Sequence, residues 1–427
     1  MNTIKQITTE RSRSTPEGWV ETTLENVVSK LGDGLHGTPQ YNDDGEYYFI
    51  NGNNLSEGRI EIKPETKRCN KVEYEKYKKD LNDRTILVSI NGSLGYFAYY
   101  NNEKCFLGKS ACYFNVKENV SKEFVGYQIR SKYFQKYIER LAGGTTIKNV
   151  SLKTMREFPF AIPQNLPEQK AIAAILTAFD DKIKLLQAQN KTLEETAQTI
   201  FKEWFGKYQI GDELPDGWRI FQLSELVVTI NGYSYKGSEL VEKSDDALVT
   251  LKSFDRNGGF QTRGFKPFLG NPKANQEVEI GDLIVAHTDL TQDADVLGNP
   301  AFIFDDGGFK KMYITMDLVK VLPIHKDISS SFLYYLMKDK AFKGHCVGYS
   351  NGTTVLHLSK KAISEYQLFL PIDFNLIKRF SELADSTTTK ISLNKITIKS
   401  LYETRDELLP RLMSGEIRVN DFKEHVA

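Results

Sequence analysis

Cysteine is scarce in this sequence: there are four in 427 residues, with no CxxC pair among them. Cys105 and Cys112 stand seven apart with no histidine beside them, so neither a disulfide framework nor a zinc site is indicated. An excess of charge is missing too. Lys plus Arg and Asp plus Glu number 56 each, which argues against a polybasic nucleic-acid binder and confines any such surface to a local patch. No apolar run is long enough to cross a membrane, and MNTIKQITTERSRS at the N-terminus has no apolar signal core, so a reducing cytoplasm is the expected location. A P-loop is absent, and any ATP use would belong to a partner. Asn299-Pro300-Ala301-Phe302 approaches the NPPF motif of amino-methyltransferases, but Ala301 replaces the second proline and no FxGxG loop precedes it. Glu61-Ile62-Lys63 lacks the upstream Pro-Asp of a nuclease site. No catalytic residue, metal or cofactor is predicted.

What the chain does contain is itself, twice. PEGWVETTLENVV at residues 16–28 returns as PDGWRIFQLSELV at 215–227, an offset of 199. FVGYQIRSKYF from Phe124 answers FLYYLMKDKAF from Phe332, and GTTIKNVS from Gly144 answers GTTVLHLS from Gly352, both at an offset of 208. The order and spacing mark a tandem duplication, with about nine extra residues inserted between Val227 and Phe332 of the second copy.

Each copy ends in a heptad pattern. Ile172, Leu176, Phe179, Ile183, Leu186, Asn190, Leu193, Ala197, Ile200 and Trp204 lie alternately four and three apart, which is a coiled-coil seam. Pro167 suits a first helical turn and no Gly or Pro follows before Gly206, so one helix of about 60 Å is expected. Phe380, Ala384, Thr387, Ile391, Asn394, Ile398, Leu401, Arg405, Leu408 and Leu412 repeat the seam. An antiparallel pairing that sets Asn190 against Asn394 brings Ile172 to Leu412, Leu176 to Leu408 and Trp204 to Phe380. It leaves Phe179 with Arg405 and Ala197 with Thr387 as the poorest layers, and the buried asparagines would fix the register.

The globular part of each copy mixes short apolar strands, such as 85–90 and 283–286, with a helical pattern over 124–141 before Gly143-Gly144. The fold class is therefore α+β, with two globular domains in tandem pseudo-repeat separated by two long helices that form an antiparallel coiled coil. The boundaries are 1–163, 164–206, 207–371 and 372–427.

DGLHGTPQY at 33–41, the paired Gly-Thr-Thr turns, LPEQ at the first long helix and LLPRLMSGEI at 408–417 together resemble the specificity subunit of type I restriction-modification enzymes, over essentially the whole chain. The resemblance implies two target-recognition domains, each reading half of an interrupted sequence in double-stranded DNA. It also implies docking of two methyltransferase subunits and of restriction subunits, with no catalysis by this chain. Where the first copy has DGLHGTP the second has NGYSYKG, 231–237, which fits domains that read different half-sequences.

Within that frame, His36, Thr38, Gln40 and Tyr41 in the first glycine-rich loop are candidate DNA contacts, with Tyr233, Tyr235 and Lys236 in the matching loop and His287 and Thr288 after a strand. Arg130 and Lys132 align with Lys338 and Lys340 beside turns carrying Thr145, Thr146 and Lys148, or Thr353 and Thr354, a combination suited to phosphate anchoring. Lys184, Gln187, Lys191, Glu194 and Glu195 are candidate outward residues for subunit docking. Two other classes compete: a coiled-coil scaffold that binds only proteins, and a self-contained methyltransferase or nuclease. Salt-dependent duplex binding separates the first and methylation by the purified chain alone the second.

Overall fold

The computed structural model describes residues 15–144, 147–255 and 259–419. The chain divides into two compact units, one of Met1–Lys182 with Leu401–Ala427 and the other of Ile183–Ser400.

In the first unit Thr85–Ser89 and Ala111–Val116 are buried along their whole length. They form the centre of a four-stranded antiparallel sheet, ordered Val28–Asp33, Ala111–Val116, Thr85–Ser89, Phe97–Tyr99. Tyr47–Ile50 runs parallel to Cys105–Leu107 in a smaller sheet. The second unit repeats this plan. Val227–Asn231, Leu318–Pro323, Leu283–Ala286 and Pro300–Phe302 make the antiparallel sheet in the same order, and Asp246–Val249 lies parallel to Lys311–Ile314.

The repeated Pro-x-Gly-Trp is a tight turn in both copies. Trp19 N–H donates to Pro16 O at 3.0 Å and Trp218 N–H to Pro215 O at 3.1 Å. Gly18 (φ +77°) and Gly217 (φ +80°) take the left-handed position such a turn requires. The turn starts a strand, Trp19–Thr23 or Trp218–Gln222, that pairs with Pro159–Pro163 or Gln367–Pro371 just ahead of each long helix.

The helical pattern over 124–141 is two helices, Lys122–Arg130 and Lys132–Leu141. Ser131 breaks them: its hydroxyl donates to Gln128 O at 2.6 Å and accepts from Phe134 N–H at 3.2 Å, ending one helix and capping the next. Asp339 caps the corresponding second helix in the other copy, accepting from Ala341 N–H at 2.8 Å.

The long helices are Leu166–Phe205 and Asn375–Met413, and they pack antiparallel within each unit. In the first unit Ile172, Ala173 and Leu176 share one core with Leu409, Leu412, Met413 and the module residues Phe124, Phe134 and Phe158. In the second, Phe201 and Phe205 meet Phe380 edge to face at 5.4 and 5.7 Å and Trp204 lies 6.1 Å from it. Asn394 Nδ2 donates to Asn190 Oδ1 at 2.7 Å and to Gln189 Oε1 at 2.9 Å. The two poor layers are relieved locally. Arg405 reaches past Phe179 to Asp180 at 2.7 Å, and the Thr387 hydroxyl turns back to Leu383 O at 2.9 Å, leaving Ala197 fully buried.

Candidate nucleic-acid interface

In each unit a glycine launches the loop that follows the sheet's edge strand. A Cβ on Gly34 would lie 2.1 Å from Leu107 O, and one on Gly232 would lie 2.1 Å from Thr315 O, so only glycine lets the backbone pass there. The next residue is pinned alike in both: Leu35 N–H donates to Leu107 O and Tyr233 N–H to Ile314 O, each at 2.7 Å. The loops at 33–41 and 231–237 are thus structural equivalents, with different side chains mounted on one backbone solution.

On the first loop His36, Thr38 and Gln40 are exposed, and His36 Nε2 sits 2.5 Å from Asp33 Oδ2. Gln40 N–H donates to the buried Glu73 at 2.9 Å, which holds the loop down and leaves its amide side chain outside. Tyr41 is 45% exposed and leans on Phe49. The second loop is more committed. Tyr233 donates to Glu239 at 2.7 Å and packs on Phe268, and Tyr235 accepts from Lys266 Nζ at 3.4 Å, while Lys236 is exposed.

Thr145 and Thr146 lie outside the described residues. Lys148, Thr353 and Thr354 are exposed. Gly144 (φ +96°) and Gly352 (φ +123°) make equivalent turns, and Gln292 Nε2 ties the second by donating to Thr353 O at 2.7 Å.

Three sequence expectations need correction. Arg130 is not a free phosphate anchor. Its guanidinium donates to Asp180 on the first long helix at 2.7 Å, and Asp180 also accepts from Tyr127 at 2.8 Å and Arg405 at 2.7 Å. Burial pushes the Asp180 carboxyl up, but the Arg130 charge and the hydrogen bonds from Arg405 and Tyr127 outweigh it, so its pKa lies below the ordinary aspartate value. Lys338 is engaged in the same way, forming an ion pair with Glu194, which also accepts from Tyr334. Glu194 is therefore turned toward its own module rather than outward. Its carboxyl is likewise held low, burial being outweighed by the Lys338 ammonium. Lys132 and Lys340, like Lys338, are exposed. Thirdly, Thr288 is buried, its hydroxyl donating to Asp317 at 3.1 Å, and cannot present itself to a ligand. His287 beside it is half-buried, and burial followed by repulsion from His357 lowers its pKa.

One feature was not anticipated from the sequence. A cleft of about 600 Å³ opens in the second unit between residues 251–255 and 261–263 on one side and 289–296 on the other, with Lys252, Gln261, Arg263 and Leu290 on its walls. The surplus of residues in the second copy was the available signal, without a position attached to it. Among the described residues no three His, Cys, Asp or Glu side chains are grouped to hold a metal ion, and no helix is long and apolar enough to cross a membrane.

Residues 16–195 match the family model of the type I restriction modification DNA specificity domain. Beyond those residues the chain is similar to type I restriction-modification specificity subunits. It is 25% identical over 365 residues to the MjaIX specificity subunit of Methanocaldococcus jannaschii, covering 79% of this chain and 78% of that one. It is 26% identical over 346 residues to the HindI specificity subunit of Haemophilus influenzae, covering 67% and 74%. The crystal structure of a type I specificity subunit from M. genitalium shares the fold over 94% of this chain and 97% of that one, with a TM-score of 0.58 at 20% identity. Tandem α+β modules joined to paired long helices are thus a fold this chain shares with that subunit, and the glycine-launched loops are where its two modules differ in side chains.

Proposed function

We propose that this chain is the non-catalytic, DNA-reading specificity subunit of a cytoplasmic type I restriction-modification complex. Residues 1–163 and 207–371 are the target-recognition domains, each reading one half of an interrupted sequence in duplex DNA. Residues 164–206 and 372–427 are the helical regions, on which two adenine methyltransferase subunits and the restriction subunits dock. Asn190 and Asn394 set the helical register. His36, Thr38, Gln40, Tyr41, Tyr235 and Lys236 are the loop contacts, and Lys132, Lys148, Lys340, Thr353 and Thr354 face the backbone.

The observation that carries this reading is the duplication itself: one backbone solution, Gly34 or Gly232 pressed against a neighbouring strand, presents two different side-chain sets. A bipartite DNA target with unlike halves suits such a pair. The neutral net charge supports local contact over general backbone binding. The test is to co-express the chain with the adenine methyltransferase of its own genome and map methylated adenines by single-molecule sequencing. One interrupted motif, changing in one half when one module is exchanged, is the expected result. No methylation, together with no duplex binding by the purified complex at low salt, would move the assignment to a protein-binding scaffold.

A further inference from the structure

The modules differ in length at one hairpin. In the first, Ser89 N–H donates to Tyr96 O and encloses residues 90–95; in the second, Ala286 N–H donates to Asn299 O and encloses residues 287–298. Six residues become twelve, so much of the second copy's surplus falls here.

The longer loop is built rather than slack. Asp289, 2% exposed, accepts hydrogen bonds from the N–H groups of Thr291 (2.8 Å), Val296 (2.6 Å) and Leu297 (3.1 Å) and from the Thr291 hydroxyl (2.8 Å). A buried carboxylate with this many donors fixes the loop's path. With that path fixed, Leu290 is held 66% exposed on the wall of the cleft.

Across the cleft the chain makes two 3-10 turns, Leu251–Ser253 and Thr262–Gly264. A Cβ on Gly264 would meet Ser253 N at 2.2 Å, and Thr250 donates to Gly264 O at 2.7 Å, so the turns pack backbone to backbone. They carry exposed Lys252 and Arg263 on adjoining turns. In the first module the matching turn, Gly52–Asn54, has the neutral Asn53 in place of Lys252.

The composition of this cleft selects its ligand. Phosphates offer only acceptors, and a surface that merely tracks them is lined with cations. Base edges in the major groove offer acceptors, donors and the thymine methyl together. Lys252 and Arg263, the carboxylates of Asp255 and Asp295, the Gln261 amide, whose Nε2 donates to Lys252 O at 3.0 Å and leaves its oxygen as acceptor, and Leu290 match the second pattern. We propose that the 287–298 loop and the turns carrying Lys252 and Arg263 form the direct-readout element of the second module. Arg263 and Lys252 address guanine O6 and N7, and Leu290 contacts a thymine methyl. This rests on the reading of the chain as a DNA specificity subunit.

The test uses the full chain with its methyltransferase partner, a randomised-duplex selection and methylation mapping. Arg263→Ala and Leu290→Ala are surface changes, and melting curves equal to wild type establish that both fold. Arg263→Ala should relax preference by about 5- to 150-fold and Leu290→Ala by less, each at one or two positions of a single half-sequence, leaving the other half unchanged. Unaltered preference in both halves overturns the inference while the functional reading stands. Uniform weakening over all sequences with a shallower salt dependence also overturns it, since that marks phosphate contact. A wild-type complex that binds no duplex overturns the functional reading and this inference with it.

Discussion

The two modules share a latch and differ in how it is made. In the first, Arg130 and Arg405 converge on Asp180, whose side chain is 16% exposed, with Tyr127 completing the site. In the second, Lys338 and Tyr334 meet Glu194, and Lys395 stands nearby with a pKa lowered by burial. The Lys338 side chain remains 36% exposed. Two guanidinium groups hold the Asp180 carboxylate from its two oxygens, whereas the single ammonium at Glu194 is a point charge that swivels. What recurs in both copies fastens the module to the long helices, and what differs between them is the loops at 33–41 and 231–237 and the hairpins of six and twelve residues, which the proposed function makes the discriminating parts.

The sharpest way to break that comparison is to remove each carboxylate. Asp180→Ala removes the counter-charge two guanidinium groups share, Arg405 retaining Asp406, and should destabilise the chain by up to about 3–5 kcal/mol. Glu194→Ala should cost less, about 1–3 kcal/mol, because water can still reach Lys338. Urea denaturation of the full-length variants measures both. Equal losses, or the reverse order, would show that the two latches are not the unequal pair their geometry describes.

Acid probes the same groups. Asp180 and Glu194 both have folded-state pKa values below the ordinary 3.8 and 4.5. Their contributions are therefore complete above those values and are lost as pH falls through the lower folded values. Stability should decline below about pH 4.5, and Asp180→Asn should flatten the decline at its acid end. An unchanged slope in that variant, read from denaturation midpoints between pH 5 and 3, would remove Asp180 from the account.

The asparagine layer gives the next smaller effect. Asn394→Leu alone strands the half-buried Asn190 amide and should cost about 1–3 kcal/mol, whereas Asn190→Leu with Asn394→Leu should be neutral or stabilising. The double variant should also lower the yield of a disulfide engineered between Leu186→Cys and Ile398→Cys, because a uniform apolar seam tolerates slippage. A double variant as unstable as the single one would argue that this layer does more than choose a register.

These contrasts also explain what could be read in advance. The duplication and the seam were legible because both are local periods, and the pairing of Trp204 with Phe380 followed from them. The latch was not. The repeat set Arg130 over Lys338, but their partners break the repeat: the positions 208 residues beyond Asp180 and Glu194 hold Thr388 and Tyr402. Two cations aligned by the repeat therefore looked like a free basic face. Nor did the sequence show the break at Ser131, since helical spacing runs straight through a serine that caps in place. Thr288 was misplaced because burial in a two-residue strand leaves no periodic trace.

Lys132 and Lys340 should give the smallest effect, and they separate fastening from binding most cleanly. They adjoin the latch residues in sequence, carry the same charge and stay exposed. Replacing either with alanine should change stability by no more than about 0.5 kcal/mol. If they face the DNA backbone, each substitution should weaken duplex binding evenly across sequences and reduce the dependence of log affinity on log salt by about one unit. Arg130→Ala should do the opposite, lowering stability with no change in salt dependence beyond that loss. Should Lys132→Ala instead alter which bases are preferred, the division between a fastened frame and a reading loop would have to be redrawn around the start of the Lys132–Leu141 helix.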